Sequence, residues 1–229
     1  MNSRDQVLGA VRGALGRREV PEPTVAALQC RLAQPSVNIM PARGRLPLAE
    51  RIELFMGEVE RVSATTVRLS ALSEVPAAVM AYLRQANLPA AIRASTNELL
   101  ETVPWSQEPL LQVGYGCAEA EDQVAVTSAF AGVAETGTLM MVSDARNPVT
   151  LNFLPEHHIA ILPVTRILGT YEEAWQRLRG VLGNGQMPRA INWITGPSRT
   201  ADIEQTMLLG AHGPKQLHIL LVDADNGRS

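Results

Sequence analysis

The chain has 229 residues, of which 46% are hydrophobic and 19% charged, a balance typical of a folded globular protein and too apolar for a disordered one. The formal net charge is −3 and no basic stripe with interleaved aromatic residues occurs, so the composition disfavours a nucleic-acid partner. Lys215 is the only lysine, which restricts any mechanism that needs a Schiff-base or phosphate-loop lysine to that position.

The amino-terminal segment and the cysteines indicate a cytoplasmic protein. The first residues carry acids and arginines without a continuous apolar run, so we expect no signal peptide, and no stretch approaches the roughly 18 apolar residues of a membrane span. The two cysteines, Cys30 and Cys117, belong to no CxxC pair and cannot supply the usual four thiolates of an iron–sulfur cluster. We therefore expect a reduced chain without a cluster of its own.

The amino-terminal region predicts a helix followed by an arm. Residues 3–16 place apolar residues at helical spacing behind a capping box formed by Ser3 and Gln6. Residues 17–47 hold five prolines and little periodicity, which predicts a linker or an extended arm that lies on another surface. We accordingly divide the chain into an N-terminal helix and proline-rich arm at 1–47 and an α/β domain at 48–229.

Beyond the arm, helical and extended patterns alternate. Predicted helices lie at 48–63, 74–87, 96–101 and 200–210, with a further one that Thr170 caps and that reaches about Leu182. Predicted strands lie at 65–69, 90–93, 110–113, 124–126, 138–142, 159–164, 191–194 and 217–222. The alternation predicts a mostly parallel sheet covered by helices. In such sheets ligands lie off the carboxyl ends of strands, so the junctions that follow strands are the first candidate sites.

The first candidate junction is FAGVAETGTLMM, residues 130–141. Glu135 lies between a run of small residues and Thr136-Gly137-Thr138, directly before an apolar strand. Gly137 permits a tight turn or a close approach of the backbone to a ligand. A carboxylate in such a turn could be a nucleophile, a base or an acceptor that orients a ligand. The alternative is a hairpin turn with an exposed glutamate.

The histidines form a second group of candidates. His157 and His158 stand before the strongest apolar strand, and Arg166, at the far end of that strand, is interpreted as a surface cation. Adjacent residues of an extended chain point to opposite faces and only His212 and His218 remain, so we predict no metal site. His158 and His212 are candidates for proton transfer, because histidine titrates near working pH. A solvated or strand-capping histidine, and for His212 a contact with a helix end, are the alternatives.

The third candidate is ITGPSRTADIEQT, residues 194–206. A predicted strand, a short loop and a predicted helix follow one another, which would expose the free N–H groups of a helix N-terminus to an anion. Ser198 and Thr200 add hydroxyl donors beside Gly196. Arg199 could bind a carboxylate or phosphate through two parallel hydrogen bonds.

The same loop has an alternative interpretation as a well-capped turn. Asp202 and Glu204 fall in the first turn of the predicted helix, where acidic side chains already stabilise the helix dipole. The loop is neither a Walker A sequence nor GxGxxG, so it specifies no nucleotide. No redox cofactor motif occurs, and we assign neither a flavin nor a nicotinamide to this chain.

Four segments closely resemble one family, in the same order and spacing. They are AETGT at 134–138, NFLPEHHIAILP at 152–163, ITGPSRTADIE at 194–204 and LGAHGPKQLHILLVD at 209–223. On these residues the chain is similar to the lactate utilisation protein C family, whose defining module is the LUD domain. The strong resemblance covers roughly 124–223, and the N-terminal helix and proline-rich arm also look like that family.

The resemblance implies a Rossmann-like three-layer α/β sandwich of the type shared by glucosamine-6-phosphate isomerase, ribose-5-phosphate isomerase and coenzyme A transferases. It also implies a role in oxidising L-lactate to pyruvate beside two partners, a larger iron–sulfur protein with its own LUD domain and a smaller cysteine-rich protein. In the coenzyme A transferase relatives a glutamate at a strand end is the nucleophile, which makes Glu135 the analogous residue by fold.

Functions of different classes stay open at this point. In the first, a subunit of a lactate-oxidising system binds a small carboxylate or other anion on the two threonine-containing loops, with Glu135, His158 or His212 in catalysis. In the second, the chain is a non-catalytic assembly or regulatory subunit whose arm docks on a partner or on a second copy. A free-standing enzyme of the coenzyme A transferase or phosphosugar type is the third. The immediate substrate, the electron acceptor and the oligomeric state are not specified.

Overall fold

The computed structural model describes residues 2–16, 20–37, 39–183, 185–201, 207–209 and 212–223, with the side chains at 200, 201 and 207–209 excepted. In these ranges the helices are α1 Ser3–Ala14, α2 Glu22–Ala33, α3 Leu48–Arg61, α4 Val75–Gln85, α5 Glu98–Glu101, α6 Thr150–Phe153 and α7 Tyr171–Leu182. The strands are β1 Thr65–Leu69, β2 Ala91–Ala94, β3 Gln112–Tyr115, β4 Val124–Ser128, β5 Ala131–Val133, β6 Thr138–Val142, β7 His157–Pro163, β8 Ile167–Leu168, β9 Ile191–Ile194, β10 Arg199–Ala201, β11 Met207–Leu209 and β12 Gln216–Val222.

Six of the described strands form the main sheet, in the order β1-β12-β7-β4-β2-β3, and each pairing between them is parallel. Helices α4 and α5 cover one face, where Leu83 and Leu100 pack against Ile159 and Leu220. Helix α3 lies on the other face. Burial on both sides explains why β7 and β12 are almost continuously apolar in sequence.

A small sheet, in the order β8-β5-β6-β9, lies beyond the second face of the main sheet. Its β5–β6 hairpin presents Leu139 to the cluster that contains Phe55 of α3 and Leu162 of the main sheet. The next residue along, Met140, faces the opposite way and packs with Leu178 of α7. The alternation of the strand therefore places α7 on the outside of the small sheet and α3 on the inside.

The predicted fold class is confirmed, since helices and a second sheet cover a parallel sheet from both sides. The hairpin strand β5 was not predicted, because its three small and fully buried residues show no alternation. Helix α2 was also not predicted and lies inside the predicted proline-rich arm. Its Pro23 occupies the first turn, where proline is tolerated, so the prolines that suggested an irregular arm partly mark a helix start.

The predicted helix at 200–210 is wrong in the part that the structure describes. Strands β10 and β11 form an antiparallel pair instead, with Arg199 opposite Leu209 and Thr200 opposite Leu208. A helix this short is marginal in water without an apolar face to bury, whereas the strand pair satisfies backbone groups across the two segments. Asp202 and Glu204, which suggested the helix start, lie outside the described residues.

The arm contacts the α/β region just before α3. Gly44 is buried against Gly169 and Thr170, so close that a Cβ at Gly44 would lie 2.4 Å from Cγ2 of Thr170. Helix α1 is capped by Asn2, whose Oδ1 accepts the N–H of Asp5 at 2.9 Å, rather than by the predicted box at Ser3. Within the described ranges no helix is long and apolar enough to cross a membrane. The division of the chain at residue 47 stays a prediction.

Phe55 tests whether α3 joins the two sheets. Its side chain is fully buried between them, so Phe55→Ala is expected to lower the free energy of unfolding by about 3–5 kcal/mol. Phe153→Ala is the matched control, because Phe153 is 43% exposed and should cost much less. Urea denaturation followed by circular dichroism measures both. Equal losses in the two variants would contradict this packing.

Candidate functional site

The predicted AETGT segment forms the turn between β5 and β6. Glu135 is buried there, and its Oε1 accepts the N–H of Tyr171, the first residue of α7, at 3.2 Å. Thr170 caps the same helix by accepting the N–H of Glu173 at 3.3 Å, as the sequence pattern predicts. Glu135 therefore binds a free N–H group at a helix N-terminus, where the helix dipole stabilises a carboxylate. Its described bond supports the helix.

A chain of hydroxyl groups links this turn to the loop after β9. Thr138 Oγ1 lies 2.7 Å from Thr136 Oγ1, 2.9 Å from the Tyr171 hydroxyl and 2.7 Å from Thr195 Oγ1. The antiparallel pairing of β6 with β9 places the last of these groups within reach. The structure thus brings the first and third predicted segments together, and the hydroxyl groups satisfy one another across the hairpin, α7 and β9.

Both glycines predicted for binding lie against the last turn of α3. Gly137 has φ +64° and a Cβ there would stand 2.6 Å from the Val59 nitrogen, while Gly196 has φ +83° and a Cβ would stand 2.8 Å from the Val62 carbonyl oxygen. Only glycine adopts this backbone at such close approach without strain. Arg199 donates to the same Val62 oxygen at 2.8 Å, and so satisfies a carbonyl that the helix end leaves free.

The loop after β9 does not lie where the sequence predicted. Its strand belongs to the antiparallel part of the small sheet, and β10 rather than a helix follows it. Ser198 donates its N–H to the Pro214 oxygen at 2.8 Å and accepts the N–H of the exposed His212 at 3.4 Å, beside the start of β12. The expectation of a helix N-terminus at the carboxyl end of a parallel strand is therefore wrong. Anion binding by Gly196, Ser198, Arg199 and Thr200 stays a prediction without that support.

His158 is fully buried inside the main sheet. One ring nitrogen, Nε2, lies 2.7 Å from Thr127 Oγ1, and Nδ1 has no hydrogen-bond partner among the described residues. Burial lowers the pKa of His158 to about 4, so the ring is neutral at working pH. A neutral ring without exposed surface supports a structural role, and proton transfer by His158 stays a prediction.

The neighbouring His157 faces α4. Its Nδ1 lies 2.9 Å from the Tyr82 hydroxyl, and the Tyr82 ring stacks on His218 at a centroid distance of 4.6 Å. His218 Nδ1 lies 2.7 Å from Thr65 Oγ1, and burial lowers the pKa of His218 to about 4. These side chains lie at the amino-terminal ends of the parallel strands. In the part of the chain that is described, no three His, Cys, Asp or Glu side chains are grouped to hold a metal.

A cavity of about 290 Å³ opens at the carboxyl ends of β2 and β4. The connection from β2 leads outward to β3 at the sheet edge, whereas the chain leaving β4 proceeds the other way, toward β7. Ligands of open α/β sheets bind at such a reversal of strand order. The cavity is lined by Asn97, Glu98, Leu99, Ser128, Ala129, Phe130, Val142, Asp144, Arg146, Asn147, Arg166, Leu178, Val181 and Leu182.

The polar wall of the cavity is held by hydrogen bonds between two loops. Asn97 accepts the N–H of Leu100 at 3.1 Å, which caps α5, and its amide donates to Asn147 Oδ1 at 2.7 Å. Helix α5 therefore begins at Glu98, two residues later than the predicted helix at 96–101. Asp144 Oδ1 accepts the N–H groups of Arg146 and Asn147 at 2.7 and 2.8 Å. The loops after β2 and β6 are therefore fixed in place before any ligand arrives.

Two arginines line this cavity. Arg146 lies 3.7 Å from Glu98 at the exposed rim, whereas Arg166, which follows β7, is half-buried. The acid of the loop, Asp144, is already engaged by backbone N–H groups. A guanidinium carries five donors in a planar fork that matches a carboxylate, so Arg166 can bind an anion while keeping a protein contact. The arrangement fits a small anion.

The sequence reasoning missed this site although its general rule pointed there. Ser128 is the last residue of β4 and Arg166 lies three residues after the end of β7, so both are near the carboxyl ends of parallel strands. The DARN segment at 144–147 is a turn-forming sequence. What the sequence did not show was that β2 and β4 are neighbours, because β3 lies between them along the chain. Arg166, interpreted as a surface cation, is the residue whose role changes most.

The turn at Gly137 gives one test of the motif region. Gly137→Ala is expected to lower the free energy of unfolding by roughly 1–3 kcal/mol, because it forces a side chain into a left-handed backbone against Val59. Gly180→Ala is the control, since a Cβ there meets no atom within 4 Å and alanine favours a helix by about 1 kcal/mol. Thermal denaturation separates them. A loss in both variants, or in neither, would contradict the turn geometry.

The buried histidines predict a pH dependence of stability. The rings of His158 and His218 are neutral above pH 6.5 in both the folded and the unfolded chain. Between pH 6.5 and about 4, the unfolded chain protonates them while the folded chain keeps them neutral. The free energy of unfolding should therefore fall as pH falls, by up to roughly 1.4 kcal/mol per pH unit for each ring. His158→Gln, which does not titrate, should reduce the slope of urea stability against pH. An unchanged slope would show that His158 is protonated in the folded state.

Comparison with known proteins finds matches to part of the chain. Residues 119–222 match the model of the LUD domain. Lactate utilization protein C of Shouchella clausii (strain KSM-K16) is 35% identical over 106 residues, 46% of this chain and 46% of that protein. Lactate utilization protein C of Bacillus subtilis (strain 168) is 37% identical over 102 residues, 44% of this chain and 42% of that protein. The matched region thus spans less than half the length of these relatives.

A solved structure shares the fold. The crystal structure of a DUF162 family protein from Deinococcus radiodurans superposes with a TM-score of 0.59 at 21% identity, over 77% of this chain and 99% of that one. This likeness concerns the fold alone. The sequence matches agree with the resemblance on the four segments, and residues 119–222 are similar to the LUD domain.

Proposed function

We propose that this chain works in lactate utilisation, as a component of a system that oxidises L-lactate to pyruvate. The names of the relatives and the LUD domain match support the general role. In this proposal the chain binds the small carboxylate in the cavity between β2 and β4. The observation that carries this placement is the half-buried Arg166 in a cavity at the reversal of strand order.

The chemistry of the walls suits a 2-hydroxy or 2-keto acid. The carboxylate lies on the guanidinium of Arg166, whose planar shape matches a carboxylate. The adjacent hydroxyl or keto oxygen lies among the side chains of Asn97, Ser128 and Asn147, which also line the cavity. The Ser128 hydroxyl both donates and accepts, so it can hold the alcohol and the ketone alike, and the two amide oxygens can accept a further hydrogen bond from the alcohol. The protein supplies binding and orientation at this site.

Electron transfer belongs to partner proteins in this proposal. Cys30 and Cys117 are both exposed free thiols, and two thiolates do not hold a cluster that needs four. Iron–sulfur or cysteine-rich partners would therefore carry the electrons. This arrangement does not require catalytic roles for Glu135 and His212. The Glu135 carboxylate accepts a backbone N–H, and His212 donates its own backbone N–H to the Ser198 hydroxyl.

A second candidate function is assembly, on a second copy of this chain or on a partner protein. Helices α1 and α2 contain no buried residue, and apolar side chains such as Val7, Val11 and Leu28 are exposed on them. An amphipathic helix that buries nothing in its own chain favours a role in contact with another surface. Sedimentation of the unaltered chain and of a Val11→Asp variant tests assembly on a second copy. This candidate predicts that the unaltered chain self-associates and that the variant does not.

The two competing anion sites can be separated by two arginine variants. Arg166→Gln is expected to weaken the binding of lactate and pyruvate by about 10- to 150-fold, because hydrogen bonds to a charged group contribute about 1.5–3 kcal/mol. Arg199→Gln is the matched control and should leave binding unchanged, since Arg199 contacts the end of α3. Titration calorimetry measures the dissociation constants.

The opposite result would assign the anion site to a different loop. Loss of binding in Arg199→Gln with full binding in Arg166→Gln would place the anion at the loop after β9. Absence of binding of both acids to the unaltered chain would contradict the proposed function itself. Circular dichroism spectra of the variants check that each one is folded.

A further inference from the structure

The cavity between β2 and β4 is larger than a three-carbon acid requires. Its volume of about 290 Å³ approaches the lower limit of roughly 300 Å³ for pockets that hold drug-sized molecules. A cavity of about 150 Å³ already accommodates benzene. Lactate and pyruvate, each with a single methyl group beyond the reacting carbons, would leave much of this space to water.

The wall opposite the polar loops is apolar. Phe130, just before β5, and Val142, at the end of β6, contribute to it from the end of the hairpin away from its turn. Helix α7 contributes Leu178, Val181 and Leu182. Leu178 is 1% exposed and fixes the depth of this wall, whereas Val181 is 67% exposed at the surface of the helix. Covering the part of an apolar wall that is in contact with water by an apolar group of a ligand is favourable, because it removes apolar surface from water.

Phe130 contributes an aromatic ring to this wall. Its backbone N–H donates to the Met140 oxygen at 2.9 Å, which ties it to β6. The guanidinium of Arg177 lies 5.7 Å from the ring centroid, within the range of a cation–π contact. An aromatic ring that lines a cavity can pack edge-to-face or offset against an apolar or aromatic group of a ligand.

From these two unlike walls we propose that the cavity prefers 2-hydroxy and 2-keto acids whose side chain is a large apolar group, branched or aromatic, over lactate and pyruvate. The inference rests on the proposed function, because it places the carboxylate on Arg166. The side chain of the acid then extends toward Phe130 and α7. The apolar wall is the part of the site that determines specificity.

A series of 2-hydroxy acids tests the preference on the full chain by titration calorimetry. Lactate, 2-hydroxybutyrate, 2-hydroxyisocaproate and phenyllactate carry side chains of increasing apolar size. Affinity should rise along the series, and phenyllactate should bind at least about thirtyfold more tightly than lactate, since each buried methylene contributes roughly fourfold. Phenylethanol, which lacks the carboxylate, should bind far more weakly than phenyllactate.

A steric variant locates the effect. Val181→Trp places a large side chain on the lining of the cavity, at an exposed helix position where folding tolerates it. It should weaken phenyllactate at least about tenfold and lactate little. Gln176→Trp is the matched control, because Gln176 is exposed on the same helix and does not line the cavity.

The outcomes separate this inference from the proposed function. Affinities that stay level or fall along the series, with lactate still bound, overturn the preference and leave the proposed function standing. Equal binding of phenylethanol and phenyllactate also overturns it. Absence of binding of every acid overturns both. A selective loss of phenyllactate in Val181→Trp, but not in Gln176→Trp, supports the preference.

Discussion

The reversal of strand order between β2 and β4 is the constraint on which the rest of the structure depends. Parallel strands need crossover connections, and each crossover covers part of the sheet edge that it leaves. Because β2 connects outward to β3 while β4 connects toward β7, the edge between them is covered by neither. The chain that leaves β4 forms the β5–β6 hairpin and α6 before it returns as β7. The small sheet thereby becomes the neighbour of the open edge.

The segments that make this chain recognisable are placed elsewhere, at the other end of the hairpin. Glu135 caps the start of α7 and Thr138 joins the hairpin to β9 by a hydrogen bond. Gly137 lets the turn pack closely against α3. These contacts hold the small sheet and α7 against the main sheet. They therefore position the apolar wall of the cavity indirectly, without lining it. A sequence motif can be distinctive because several elements meet at it, and its residues then act on a ligand through the positions of others.

Much of the fold could be predicted because its signals are local. The buried strands near 159–164 and 217–222 are continuous apolar runs, and the cap of α7 is visible in Thr170 and Glu173. The helix at 200–210 failed because its evidence was local while the pairing of Arg199 with Leu209 is not. The candidate site failed for a related reason. Its walls come from loops after β2, β4 and β6, and their meeting depends on the spatial order of strands, which the chain order does not give.

The most direct test of this account is the location of a bound acid on the backbone. Amide chemical shifts recorded by nuclear magnetic resonance during a titration with pyruvate would report it for the whole chain at once. The account predicts that the shifts which move with a common dissociation constant belong to residues 97–99, 128–130 and 144–147. Shifts confined to 134–138 and 195–200 would contradict it, because the acid would then lie on the motif loops rather than at the open edge of the main sheet.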